Sequence, residues 1–317
     1  MNVLSRPREE PAEPTEEAAF RHEDAEPGPV RQLRGHSGAT VLLYGRGRTR
    51  FVRKTAGEKR WNERLRSQSA LQRRLLSYGM PFPRVLSEGE DKAGLAFFDM
   101  EYVPANNLAA LICEFTHFDR DAAVSTLERA FRFFRLTAQD ALPAAPFHAK
   151  IDQITERCRT SQACRPKFAA IAEMAVRLNA LRWDGVPPSL CHGDLTLENM
   201  VFSGTSGLVF IDCDDCFVSS YWLDAAKLFQ DVAGHWCLRE LYMSRKSAPG
   251  VERTAQGLEK LAPPLRAMLA LVDPQLVLRL PQFVALNLFR TLPYVKTERL
   301  TSFVLERMTH VLNCAQL

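Results

Sequence analysis

The stretch that decides the reading runs from Leu190 to Asp215: L-C-H-G-D-L-T-L-E-N-M-V-F-S-G-T-S-G-L-V-F-I-D-C-D-D. A short lead-in meets His192-Gly193-Asp194, and Asn199 follows five residues after that aspartate. Met200 to Phe202 reads as a strand, Ser203 to Gly207 as a turn, and Leu208 to Ile211 as a second strand that ends on Asp212. The pattern is a hairpin with one carboxylate on the loop before it and another where it ends. Both carboxylates can face one cleft, with Asn199 between them. A carboxylate that accepts a hydroxyl proton, beside an Asn and an Asp offering hard oxygens to a divalent ion, suits phosphoryl transfer.

H-G-D-x-x-x-x-N followed by I-D resembles the motifs of the aminoglycoside phosphotransferase and choline kinase families, small-molecule kinases with a protein-kinase-like fold. Protein kinases carry H-R-D at the equivalent loop. The resemblance implies that Asp194 is the catalytic base and that Asn199 and Asp212 ligate Mg2+. It implies an α+β, two-lobed, protein-kinase-like fold: an antiparallel-sheet N-lobe over 30–103, a mainly helical C-lobe over 104–317, and ATP between them.

Working outward, residues 1–29 are rich in Glu, Pro and Ala and read as a disordered acidic tail, too poor in apolar side chains to offset ordering entropy. Residues 1–30 hold three arginines against eight carboxylates, so the body is more basic than the net charge of +4 conveys. A basic body suits anionic ligands such as nucleotides without implying nucleic acid. The arginines at 60, 64, 66, 73 and 74 read as a solvated helix face rather than an RNA or DNA surface. No apolar run approaches a membrane span and Met1 to Glu10 lack a signal-peptide core, so a cytoplasmic protein with no membrane partner is expected. The eight cysteines have no framework spacing, so reduced thiols are expected. Cys213 and Cys216, a lone C-x-x-C, read as packing residues under the site.

In the N-lobe, Gly35, Ser37 and Gly38 form a turn between two strands. The resemblance makes this the loop over the ATP phosphates, with Ser37 and Gly38 as contacts. Phe51-Val52-Arg53-Lys54 alternates as a strand, and Lys54 matches the phosphate-binding lysine. Trp61 to Tyr78 has helical spacing, ended by Gly79, Pro81 and Pro83. The family usually places a Glu on this helix to hold the lysine. Here that position falls on Gln68, which can accept a hydrogen bond but brings no charge. Phe97 to Pro104 resembles the last N-lobe strand running into the hinge, with adenine contacts at Met100, Glu101 and Val103.

After Asp212, two more carboxylates, Asp214 and Asp215, crowd the metal loop and call for a cation among them. The family pattern makes Asp224 a brace for the catalytic loop, at the entrance to a helix over 225–237. Lys227, Asp231 and His235 fall at i, i+4 and i+8, either an intrahelical ion pair or, with Trp222 and Trp236, the lining of an acceptor pocket. Helical spacing also marks Leu108 to Cys113, Asp121 to Gln139, Pro166 to Trp183 and three segments beyond Gln256. Phe283, Leu286 and Arg290 read as a core face carrying one cation.

The expected activity is transfer of the γ-phosphoryl group of ATP to a hydroxyl of a sugar, polyol, sugar phosphate or aminoglycoside-like molecule. The alternative is a nucleotide-binding pseudokinase scaffold, motivated by Gln68. A protein kinase fits less well, because neither D-F-G nor A-P-E follows Asp212.

Overall fold

The computed structural model describes residues 29–33, 38–45, 50–114, 117–204, 207–244 and 248–314. The acidic tail up to residue 28 and Ser37 lie outside them. Five strands form the N-terminal sheet: β1 (Arg31–Gln32), β2 (Thr40–Tyr44), β3 (Phe51–Thr55), β4 (Val85–Glu90) and β5 (Ala96–Glu101). Their order is β1-β2-β3-β5-β4, all antiparallel. Strand alternation puts Val52 and Lys54 on the buried face of β3 and leaves Arg53 on the other. Arg53 forms a bidentate pair with Asp99 across β3 and β5, at 2.7 and 2.9 Å. That settles which cation turns inward: Lys54 is 2 % exposed.

Helix α1 (Asn62–Ser77) packs on this sheet and stops where Gly79 adopts φ 79° and donates to the Leu76 carbonyl. Its buried stripe is Leu65, Gln68, Ser69, Gln72 and Leu75. The apolar spacing in the sequence brought Trp61, Leu71 and Leu76 into the same pattern, yet Trp61 is exposed. Polar residues hold the middle of the stripe because each has a partner there: Gln68 accepts from Lys54, Ser69 donates to Glu88, and Gln72 donates to the Pro83 carbonyl.

Beyond β5 the chain is mainly helical. A small sheet joins β6 (Asn106–Asn107) to β7 (Met200–Ser203) and β8 (Gly207–Phe210). Around it lie α2 (Leu108–Cys113), α3 (Arg120–Leu136), α4 (Ala145–Thr160), α5 (Phe168–Asn179), α6 (Tyr221–Val232) and α7 (Arg239–Met243). The last four helices are α8 (Ala248–Glu259), α9 (Ala262–Val272), α10 (Pro274–Thr291) and α11 (Glu298–Asn313). Helix α4 escaped the sequence reading. Its buried residues Phe147, Ile151, Ile154 and Cys158 form a stripe one side chain wide, among polar neighbours.

Asp119 caps α3, accepting from the Ala122 N–H at 2.9 Å. Asp273 caps α10 and also accepts from the Tyr221 hydroxyl (2.6 Å) and the Trp222 indole (3.0 Å), which locks α6 to α10. Pro281 lies within α10 without ending it. One apolar core fills the helical part and takes in Leu75, Met80 and Phe82 from the N-terminal region, while a smaller one lies on the first sheet. Among the described residues no helix is long and apolar enough to cross a membrane.

Candidate active site

The catalytic-type loop is built on His192, which is fully buried and stacked on Phe82 with ring centroids 5.6 Å apart. Its Nε2 lies 2.9 Å from the Ile211 carbonyl, and the Asp194 N–H donates to its Nδ1. A carbonyl only accepts and an amide only donates, so the ring is the neutral Nε2–H tautomer. Burial pushes its pKa down to about 4, with the Asp194 and Asp212 carboxylates pulling the other way. The imidazole therefore ties the loop before β7 to the end of β8.

Gly193 has φ 85°, and a Cβ there would sit 1.7 Å from the Asp214 carbonyl oxygen. The Asp214 N–H donates to the His192 carbonyl at 2.9 Å, bringing the two backbones together. No side chain fits between them, which is why this loop reads H-G-D. Asp224, fully buried on α6, accepts from the N–H groups of His192 (2.5 Å) and Gly193 (2.8 Å). Burial drives its carboxyl well above the usual range, against the pull of those two donors.

Asp194 is held on both oxygens. Lys227 Nζ lies 2.9 Å from Oδ1, and Asn199 Nδ2 donates to Oδ2 at 2.9 Å and to the Asp194 carbonyl at 2.8 Å. Burial works against its charge, but the Lys227 ammonium more than offsets that, so the carboxyl stays below its ordinary pKa. With its amide nitrogen committed, Asn199 keeps its carbonyl oxygen free of partners among the described residues. Asp212 adopts φ 64°, in the left-handed region, a conformation that Asp tolerates at a modest cost. Its carboxylate meets Lys54 Nζ, which also donates to Gln68 Oε1 at 2.8 Å. The Gln68 amide then donates to Asp214 Oδ1 at 3.0 Å, and Arg64 clamps both Asp214 oxygens. Lys54, Gln68 and Asp214 thus run as one chain from the sheet to α1 to the loop after β8.

The crowding of three carboxylates is relieved by Lys54 on Asp212 and Arg64 on Asp214, while Asp215 is exposed and its N–H donates to Asp214. A carbonyl oxygen from Asn199 and a carboxylate from Asp212 form a small hard-oxygen set of the kind Mg2+ takes when phosphate oxygens and water complete its shell. Among the described residues no group of three His, Cys, Asp or Glu side chains forms a metal cluster of its own. All eight cysteines are free thiols; Cys213 is buried, its Sγ 3.6 Å from the Gln68 carbonyl.

The candidate acceptor residues divide. Helix α6 begins at Tyr221 and ends at Val232, so His235 lies past it with φ 56° and does not share the face of Lys227 and Asp231. Lys227 turns to Asp194. Asp231 is buried and accepts from the Leu197 N–H at 2.7 Å, which ties α6 to the loop before β7. Burial and the nearby Glu198 carboxylate raise its pKa to about 7. Trp222 is buried against Asp273, and His235 is buried as well. The Trp222, Asp231 and His235 side chains all lie in the interior. The role of Lys227 left a signal that helical periodicity could not distinguish from an ion pair with Asp231.

Of the nucleotide-facing candidates, Gly38 has φ 73° and its carbonyl lies against Gly57. Met100 is buried beside Gln72, Val103 is half-buried, and the Glu101 carboxylate is taken by Arg84 Nε at 2.6 Å.

A family model described as the phosphotransferase enzyme family matches residues 29–285. Among solved structures, a thermostable mutant of aminoglycoside phosphotransferase APH(4)-Ia, in ternary complex with AMP-PNP and hygromycin B, aligns over 89 % of this chain and 92 % of its own, at 14 % identity and a TM-score of 0.57. A protein from Haemophilus somnus assigned as a fructosamine-3-kinase aligns over 90 % and 92 %, at 13 % identity and a TM-score of 0.52. Aminoglycoside phosphotransferase APH(3'')-Id from Streptomyces rimosus aligns over 80 % and 92 %, at 17 % identity and a TM-score of 0.50. At such identities the structural likeness is one of fold. The family match spans most of the chain, from the first strand into α10, and on that ground the chain belongs to the phosphotransferase enzyme family and is a phosphotransferase with an alcohol group as acceptor.

Proposed function

We propose that the chain transfers the γ-phosphoryl group of ATP to a hydroxyl of a small molecule, and that Asp194, Asn199, Asp212 and Lys54 carry the reaction. The observation that supports this most is the state of Asp194. It is a charged carboxylate held on both oxygens by Asn199 and Lys227, within one loop-and-hairpin unit that also carries Asp212. An ionised, oriented carboxylate is what a general base for an alcohol needs.

In the reaction the alcohol oxygen attacks the γ-phosphorus, the bond from that phosphorus to the bridging oxygen of ADP breaks, and the hydroxyl proton passes to an Asp194 oxygen. Lys54 steadies the nucleotide phosphates, and Gln68 keeps its ammonium in place. Mg2+ held by Asn199 and Asp212 would supply charge neutralisation at the phosphate oxygens. Asp224 and Asp231 fix the loop backbone, so Asp194 has little freedom to wander. Positioning and electrostatics supply most of the acceleration in phosphoryl transfer. The acceptor on this reading is a sugar, polyol, sugar phosphate or aminoglycoside-like alcohol.

The test is an ADP-release screen over such alcohols and choline, with Asp194→Asn as control. The variant is expected to lose about a thousandfold or more in kcat while binding AMP-PNP normally. Nucleotide binding without turnover on any acceptor would favour a pseudokinase scaffold instead.

A further inference from the structure

Helix α4 and the end of α10 carry three cations, Lys150, Arg157 and Arg290, that pack on Phe217, in the loop after Asp212, and on Tyr294. Arg290 lies over the Phe217 ring with its Cζ 4.9 Å from the centroid, and Lys150 Nζ lies 5.7 Å from the same centroid. Arg157, one turn and more along α4, stacks on Tyr294 at 4.7 Å and donates to its hydroxyl at 3.0 Å. The partners of these cations are neutral. Arg290 donates to Asn287 Oδ1 and Lys150 to Gln153 Oε1, each at 2.8 Å. Among the described residues no carboxylate comes within ion-pair distance of any of the three.

Such an arrangement is unusual on energetic grounds. Partial burial works against the charge of Arg290, and Lys150 is pushed down by burial and by repulsion from Arg290 and Arg157. A fold that gathers like charges with no carboxylate paired to them leaves their attraction for an anion unspent. Position adds a second argument. Phe217, against which both Arg290 and Lys150 pack, lies on the same short loop as Asp212 and Asp214. Asn287, itself fully buried and anchored to the Leu223 carbonyl, aims the guanidinium.

We propose that the acceptor alcohol carries an oxyanion, a carboxylate or a phosphate, which Arg290 grips with Lys150 and Arg157 while its hydroxyl meets Asp194. This rests on the phosphotransferase reading and narrows its acceptor class: a polycationic acceptor would bring like charge against this surface. Arginine offers a planar fork that matches both oxyanions, with lysine adding a point charge.

The experiment uses the full chain saturated with AMP-PNP and Mg2+, so that the nucleotide site is filled, and measures binding by calorimetry. The ligands are matched: glycerol against glycerol 3-phosphate, and glucose against glucose 6-phosphate and glucuronate, with inorganic phosphate as the smallest oxyanion and kanamycin and choline as cations. Inorganic phosphate should bind, and anionic members should bind about tenfold or more tightly than their neutral partners. The glucuronate and glucose 6-phosphate arms then tell carboxylate from phosphate. Arg290→Gln should abolish the preference, Arg290→Lys should restore part of it, and AMP-PNP affinity should stay within about twofold throughout. Because Arg290 is half-buried and its loss can disturb folding, the pair Lys150→Gln with Arg157→Gln on α4 gives a second measurement. It should cut the preference severalfold with the melting temperature unchanged. Absence of oxyanion binding, equal or tighter binding of neutral or cationic members, or a preference that survives both sets of variants would overturn the proposal. Failure to bind AMP-PNP counts against the kinase reading alone, since inorganic phosphate can be titrated without nucleotide.

Discussion

Replacing Gln68 with glutamate would restore the residue that the kinase pattern usually carries, and the structure predicts that it would do harm. Gln68 uses both ends of its amide: Oε1 accepts from Lys54 at 2.8 Å and Nε2 donates to Asp214 at 3.0 Å. A carboxylate can serve only the first. In Gln68→Glu, two anionic oxygens would face each other at about the present 3.0 Å, a repulsion of roughly 5–6 kcal/mol at an effective dielectric of about 20. The new attraction to Lys54 at 2.8 Å is of about the same size and opposite sign. What remains is the lost N–H bond to a charged acceptor, about 1.5–3 kcal/mol. Solvent screens little of this, because the Asp214 side chain is 16 % exposed and Gln68 is 5 % exposed.

The expected outcome is a KM for ATP raised roughly ten- to thirtyfold, from a net cost near 2 kcal/mol. Asp214→Asn, which supplies a donor to the new carboxylate, should recover much of the loss. A double-mutant cycle on KM and on thermal unfolding measures the coupling between positions 68 and 214, expected at about 1–3 kcal/mol. If Gln68→Glu improves ATP affinity, or the cycle shows no coupling, the account of this amide as a two-ended bridge is wrong.

Three further outcomes follow from the loop and its supports. Gly193→Ala should destabilise the protein by at least about 2 kcal/mol and nearly abolish turnover, because of the positive φ and the Asp214 carbonyl in its way; wild-type melting and turnover would contradict the packing described. Lys227→Met removes the ammonium that keeps the Asp194 pKa low, so the acid limb of the pH–rate profile should move to higher pH, with kcat down about ten- to a hundredfold at neutral pH; an unmoved limb would refute the pairing. Asp231, with a folded pKa of about 7 against roughly 3.9 unfolded, binds its proton more tightly in the fold. Its contribution is complete below about pH 4 and declines as pH rises through 7. Asp231→Asn keeps an oxygen for the Leu197 N–H and does not titrate, so melting temperatures between pH 5 and 8 should fall less steeply than in the wild type.

By itself the amino-acid sequence determined the elements whose chemistry is local. The H-G-D-x-x-x-x-N loop, the hairpin to Ile211-Asp212 and the strand ending on Lys54 each announce themselves through spacing and alternation within a few residues. The fold class and the family followed from them. Gln68 was legible as a departure, because the helix before Gly79 places it where the family carries a Glu. Its second bond was not, because Asp214 lies far along the chain and nothing in a helical period points across a cleft. The same holds for Lys227: four residues from Asp231 on one helix face, it had a satisfactory local partner on paper, and only the packing of α6 beneath the catalytic loop turned it to Asp194. Tertiary structure likewise decided that Trp222, Asp231 and His235 are buried, since burial depends on what the opposite helix brings. It also decided that Arg290, Lys150 and Arg157, drawn from two helices, share one surface. Periodicity reports which residues lie on the same side of an element. What that side faces, and hence whether a charge finds a partner or waits for a ligand, is settled by contacts distant in sequence.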